Sequence, residues 1–425
     1  MADYKGLNYL KSKLSSKYTR CVLRYNYYEE KIQGLDIGGL NNDARFWYKP
    51  VSGWSAKAVD SLADRLSFRE FKNDTLGMTS LFNVNNPDIL YDNAIRSALI
   101  TSCSFIYILK DGTDVRFQVI DGRNATGILD PITNLLTEGY AVLERDDYEQ
   151  PIKEAYFTRE STIAWDKNGT QEYYNPTDYA LLVPIIYRPD AKRPFGHSRI
   201  SRACMNLQQA AMKTLKQSMI SGEFYSYPQR YVLGLDPNKE LLDSWKATMT
   251  TMLTFDKDRD GGHPTVGQFN ANSMTPYTEQ LKMYASLFAG ETGLTLDDLG
   301  FSTENPSSVE AIKAQHENLR LTARKAQKTF GTGLLNTGYL AACLRDDYSY
   351  RRDIIAETIP CWEPLFEPDS SALSIIGDGA IKINQAVPGY FNVENLRDLT
   401  GIEASDAVTS GTSSIISTLF GDETE

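Results

Sequence analysis

Several things the chain has little of each close off a class of function. Of its 425 residues three are histidines, His197, His263 and His316, far apart in sequence, and five are cysteines, Cys21, Cys103, Cys204, Cys343 and Cys361, with no CxxC pair among them. No zinc spacing results, and a sparse, odd cysteine set suits small core residues in a reducing compartment better than a disulfide framework. No G-x-x-x-x-G-K-[ST] run is present to cradle a nucleotide phosphate, and no G-x-S-x-G elbow to present a nucleophile. No apolar stretch approaches the roughly 18 residues that span a bilayer. The opening MADYKGLNYLKSKL lacks a signal-peptide core, so a cytoplasmic, membrane-free protein is expected. Paired carboxylates such as Asp146 and Asp147 fall in polar turns where solvation explains them.

One cation signal needs weighing. Asp256, Asp258, Asp260 and Gly261 begin like a calcium loop, in which alternate carboxylates face one ion. The twelfth position, where a bidentate Glu is required, is Gly267. A solvated charged turn is the better reading, and neither a metal nor a cofactor is expected.

Positive charge is also short. Forty-four Lys and Arg stand against 55 Asp and Glu, a net charge of −11, while proteins that grip nucleic acid over their whole surface carry the opposite excess. A conduit that lets a duplex slide needs a weakly repulsive wall, and this balance is compatible with one.

What is present is a chain of ordinary composition, 41% hydrophobic and 23% charged, long enough for two or three domains. Leu7, Leu10, Leu14, Tyr18, Cys21, Tyr25, Tyr28 and Ile32 are spaced as a helix over 7–33 that Gly34 ends. Ala56, Val59, Leu62 and Leu66 mark a second over 54–68, and a third spans 87–103. Between 105 and 187 the period shortens. FIYILK, VRFQVI, GYAVLE, EAYFTR, STIAWD and LLVPIIY, parted by DGT, DGRN and DKNGT turns, predict an antiparallel sheet. Ser198 is a good N-cap for a helix closed by Gly222, whose seam Ile200, Ala203, Leu207, Ala210, Ala211, Thr214 and Ser218 is mostly small. Thr275 with Pro276 starts another helix.

The chain is organised around residues 297–330, DDLGFSTENPSSVEAIKAQHENLRLTARKAQKTF. A flexible polar loop gives way to a helix capped by Asn305 or by Ser307 with Glu310. Val309, Ile312, His316, Leu319, Ala323, Ala326 and Phe330 then step by threes and fours, the seam of a helix packed lengthwise. Gly331 marks its expected end.

LDDLG followed by NPSSVEAIKA and a helix ending in FG resembles the portal proteins of tailed bacteriophages, siphophage type, which form the head-to-tail connector. The VPIIY-to-SRIS passage and the order of these motifs extend the resemblance over roughly residues 50–345. It implies an α+β portal fold: a wing over 1–197, a first stem helix over 198–222, a clip over 223–274, and a second stem helix over 275–293. A tunnel loop over 294–305, a long wing helix over 306–345 and a helical crown with C-terminal tail over 346–425 complete it. It also implies a ring of about twelve copies at one capsid vertex in the virion, assembled in the host cytoplasm. Double-stranded DNA would pass through the ring without base recognition. The expected partners are the terminase large subunit, the head-tail adaptor, and the major capsid and scaffolding proteins.

On that basis Asp297, Asp298, Ser302, Thr303, Glu304 and Asn305 are expected at the bore. Lys239, Lys257 and Arg259 are expected at the motor or adaptor contact, and Leu207, Ala211, Ile312, His316 and Leu319 in subunit packing. No enzyme activity is expected. Two rival readings are a helical scaffold or capsid-associated structural protein, which would need neither the sheet nor the polar loop, and a nucleic-acid enzyme, which should show a metal or nucleotide site.

Overall fold

The computed structural model describes residues 4–32, 49–226, 230–233, 265–268, 273–301, 314–365 and 370–402. It is an α+β protein whose chain divides into two compact units, one formed by residues 1–28, 57–201 and 308–425, the other by 29–56 and 202–307.

In the first unit, helix α1 (Leu7–Tyr28) stops where Glu30 turns left-handed at φ 58°, short of the expected boundary at 33. Helix α2 (Trp54–Ala63), which opens in the other unit, ends earlier than its periodicity suggests. The Phe68 end of that pattern belongs instead to strand β1 (Phe68–Lys72). Helices α3 (Met78–Asn83) and α4 (Pro87–Thr101) follow. The β region then makes two antiparallel sheets, not one. Strand β2 (Cys103–Asp111) pairs with β3 (Asp114–Ile120) on one side and with β9 (Leu182–Ile186) on the other. Strands β4 (Ala125–Leu129), β5 (Leu136–Arg145), β6 (Pro151–Phe157), β7 (Ser161–Asp166) and β8 (Gly169–Tyr174) form a five-stranded meander.

The period-2 alternation sorts the side chains. Cys103, Phe105 and Tyr107 of β2 meet Leu136, Ala141, Ala155 and Phe157 of the meander in one core. Residues between them face the other way, and Ser104 Oγ donates to the Ala94 carbonyl of α4 at 2.6 Å. On the meander's outer face, Leu10 and Leu14 of α1 pack on Tyr140 and Val142. The buried Glu138 carboxylate beneath is satisfied: it accepts from the Lys5 and Gly6 amides at 3.0 and 2.8 Å and from Tyr156 Oη at 2.6 Å.

Helix α7 (Glu317–Asp346) is the longest element and does not end at Gly331. It runs on because its glycines are contact points. A Cβ on Gly333 would lie 2.7 Å from Ile185 Cδ1 and 3.3 Å from the Pro184 carbonyl of β9, and one on Gly338 would lie 2.8 Å from Met78 Sδ. Such close approach outweighs the roughly 1 kcal/mol that glycine costs in a helix interior. Tyr187 stacks on Phe330 at 6.0 Å between centroids.

Strand β12 (Ile359–Trp362) pairs with β1. Helix α8 (Ser370–Ala386) precedes α9 (Val393–Thr400), which Asn392 caps through the Asn395 amide at 2.8 Å. Helix α9 is tied to β1 by Arg69–Asp398, Lys72–Glu394 and Arg397–Glu70 ion pairs.

In the second unit, helices α5 (Arg202–Ser226) and α6 (Thr275–Thr292) pack along each other. The ribbon of β10 (Arg230–Leu233) and β11 (Thr265–Gln268) lies between them in the chain. Ser198 does not cap α5. Its Oγ donates to the Ile100 carbonyl at 2.6 Å and accepts from the Ile200 amide, so the helix starts at Arg202 and passes Gly222.

Candidate functional site

The candidate site is the α5/α6 pair with the knuckle that follows it. Small and β-branched residues let the helices approach. Thr214 Oγ1 donates to Gln280 Oε1 at 3.1 Å, and Ala211, Met212, Ala285 and Phe288 are fully buried. The pair is antiparallel: Gln208, a turn and a half before Thr214, and Phe288, two turns after Gln280, both meet residues 52–55. Gln208 accepts from the Ser55 amide at 3.2 Å and donates to the Ser52 carbonyl, while Phe288 packs on Trp54 at 5.5 Å. A buried amide satisfied at both ends fixes the register of the segment against the helix. Thr275 opens α6 but does not cap it. Met274 occupies the N-cap without a side-chain bond, and Ser273 Oγ accepts from the Thr275 amide instead.

Gly293, at φ 72°, ends α6 in the left-handed conformation with its amide on the Ala289 carbonyl. The expected flexible loop begins as a built turn. Residues Asp297–Leu299 form a 3-10 turn, Gly300 at φ 87° closes it, and the Phe301 amide returns to the Leu296 carbonyl at 3.0 Å. Asp298 holds the turn: its Oδ2 accepts from the Thr295 amide and hydroxyl, both at 2.9 Å, and its own amide donates to Thr295 Oγ1 at 3.2 Å. Asp297 beside it is exposed. The Asp298 carboxylate is therefore tied through Oδ2 to Thr295 of its own turn, which the motif DDLG did not reveal. Thr295 and the flanking Gly293 and Gly300 were the legible signal for it.

Of the residues expected in subunit packing, Ala211 and Leu319 are fully covered within the chain, while Leu207 and His316 are half-buried. Helix α6 carries two apolar side chains that the sequence reading passed over, Met283 and Leu287, one turn apart and about half exposed. Ser302, Thr303, Glu304, Asn305, Ile312, Lys239, Lys257 and Arg259 lie outside the described residues, as do Asp256, Asp258 and Asp260. Among the described residues no group of three or more His, Cys, Asp or Glu is placed to hold a metal, and no helix is long and apolar enough to cross a membrane.

No family model matches the chain. It is similar to the portal protein of Mycobacterium phage L5 and to that of Mycobacterium phage D29, in each case 25% identical over 307 residues. The match takes in 66% of this chain and 62% of each relative, so the chain spans less than two thirds of their length. Among solved structures, the virion of a native gene transfer agent particle gives a TM-score of 0.43 at 13% identity, covering 91% of this chain and 100% of that one. The neck of the native particle, computed with C12 symmetry, gives 0.42 at 14%, covering 83% and 90%. At TM-scores below 0.5 these likenesses add nothing to the topology described above.

Proposed function

We propose that this chain is a phage portal protein, one subunit of a ring of about twelve at a single capsid vertex, through which double-stranded DNA enters and leaves. The observation that carries the reading is the 25% identity to two phage portal proteins over 307 residues. The role is structural: energy for DNA movement comes from the terminase large subunit docked on the ring, and the head-tail adaptor later takes the same end. Major capsid and scaffolding proteins surround it during assembly.

Within the ring, α5 up to residue 222 and α6 are the stem helices, residues 223–274 the clip, α7 part of the wing and residues 346–425 the crown and C-terminal tail. Lys239, Lys257 and Arg259 of the clip meet the motor or adaptor. Asp297, in the turn built by Asp298, and Ser302, Thr303, Glu304 and Asn305, which follow it in the chain, line the bore. Carboxylates there repel phosphate over a Debye length of about 8 Å and keep the duplex mobile. A closed ring uses two different complementary faces on each copy. Met283 and Leu287, exposed on α6, suit one of them, and Leu207, Ile312 and His316 are further contacts between copies.

Light scattering or native mass measurement of the purified chain, with negative-stain images of the same sample, tests this. Rings with a central hole are expected. A compact dimer that turns over ATP or cuts DNA would overturn the reading in favour of an enzyme.

A further inference from the structure

Four cations fall on one face of α1: Lys13, Lys17, Arg20 and Arg24, spaced by four, three and four. The fold sets the 193–197 turn opposite them, bringing Arg193 and His197 to the same cleft, with a cavity of about 340 Å³ between. Both walls belong to the first unit. The turn is fixed in place: Gly196, at φ 74°, leaves no room for a Cβ, which would fall 2.0 Å from the Tyr187 carbonyl.

The cleft lacks matching negative charge. Its two neighbouring carboxylates are already engaged: Asp121 by Arg123 and Asn124, and Asp190 by the cleft's own His197 at 2.6 Å and by the Lys192 and Arg193 amides, which leaves the five Lys and Arg side chains without a carboxylate. Among the described residues no ion pair forms at Lys13, Lys17, Arg20, Arg24 or Arg193. Three of them are oriented by neutral oxygens, Lys13 on the Gly127 carbonyl at 2.7 Å, Lys17 on Ala125 at 2.8 Å and Arg24 on Thr101 at 3.2 Å. The ammonium of Lys13 sits 4.8 Å over the Phe195 ring. The cost is visible. Burial first, and then Lys17 and Lys5, bring the Lys13 ammonium down to about 8, and burial with Arg20 and Arg193 lowers Arg24.

Like charges four apart on a helix destabilise it, so a pre-formed row of them in a cleft of a protein with net charge −11 calls for an anion. Three of the cations are guanidinium forks, whose paired N–H groups match two oxygens of one phosphate. We propose that this cleft binds phosphate groups, supplied either by a nucleic-acid backbone or by a free pyrophosphate-type anion. The proposal stands whether or not the chain assembles into a ring.

The test is calorimetric titration of the full chain with inorganic pyrophosphate, and separately with a short DNA duplex, at physiological ionic strength. Wild type is compared with R20Q/R193Q and with K167Q, an exposed lysine in the β7–β8 turn. Neither Arg20 nor Arg193 bonds the surrounding backbone through its side chain, so the double variant keeps the fold. Saturable pyrophosphate binding is expected, weakened roughly tenfold or more in R20Q/R193Q and unchanged in K167Q. Displacement of pyrophosphate by the duplex, with the same loss in the variant, identifies the backbone as the source; binding of pyrophosphate alone identifies the free anion. No saturable binding by wild type, or equal affinity in all three proteins, overturns the proposal.

Discussion

Replacing glycine by alanine should have opposite signs at two sets of helical positions in this chain. Gly290 in α6 has nothing within 4 Å of where a Cβ would stand. G290A should therefore gain most of the helix-propensity difference, about 0.5–1 kcal/mol. At Gly333 the same gain meets a Cβ 2.7 Å from Ile185 Cδ1 and 3.3 Å from the Pro184 carbonyl. Ile185 is fully buried and the carbonyl belongs to a strand, so neither can yield cheaply. Overpacking of this kind costs about 1–3 kcal/mol, and after the propensity gain G333A should lose about 1–2 kcal/mol. G338A should behave likewise, because Met78 is fully buried and its Cβ, not only its flexible end, stands 3.0 Å away. Urea unfolding midpoints followed by circular dichroism would rank G290A above wild type and both α7 variants below it. If G333A and G338A matched or exceeded wild type, α7 would not lie against β9 and α3 as described.

Removing the Asp298 carboxylate in D298A should loosen the Thr295–Phe301 turn by about 1 kcal/mol, seen as faster hydrogen exchange at the Thr295 amide, whereas D298N should retain part of the cap; unchanged exchange would refute the role. Burial alone would raise the Glu154 carboxyl, but hydrogen bonds from Tyr140, Lys11 and Trp165 together hold it below the ordinary carboxylate value. Its contribution to stability is present above the unfolded-state pKa and is lost as pH falls through the lowered one. Acidification below about pH 4 should therefore loosen the contact of α1 with the meander and shift Trp165 fluorescence, since the indole N–H donates to Glu154 at 2.8 Å; E154Q should abolish that transition, and its survival would assign it to another group. If the α6 face is a subunit contact, M283E/L287E should leave circular dichroism intact and stop ring formation, and rings that still form would move the contact elsewhere.

The parts of the fold legible in sequence are those where burial imposes a period. Helix α1 and strands β2, β3 and β9 announce themselves because a covered face selects apolar residues at fixed spacing. Strand β8 does not: all six of its residues are exposed, so GTQEYY carries no alternation to read, and only the DKNGT turn before it hints at a hairpin. Strand β1 was absorbed into the end of a helical pattern. Gly331 was read as a helix stop because local propensity says so, whereas what decides it is a neighbour 150 residues away in sequence, Ile185 lying against Gly333. The division of one expected sheet into two has the same origin, since β9 crosses back to pair with β2 and leaves the meander to itself.

Residues 297–300 were legible as a break between helices and not as a set of roles. Motif order drew attention to residues 297–300, yet a carboxylate's task depends on which donors its turn brings near, and Thr295 takes Asp298 out of contention as a mobile charge. On α1 the fold adds what the sequence alone does not show. Its basic residues look like the solvated side of an amphipathic helix, and at positions with no opposite wall that reading would be right. Only the fold brings Arg193 and Phe195, some 180 residues later, over Lys13 and Lys17 and turns a solvated stripe into a cleft that pushes the Lys13 ammonium down. Net charge averaged over the chain conceals this. An acidic total sets how the whole molecule behaves toward a polyanion at long range, while a local, partly buried cluster acts at contact distance, and in this chain the two have opposite signs.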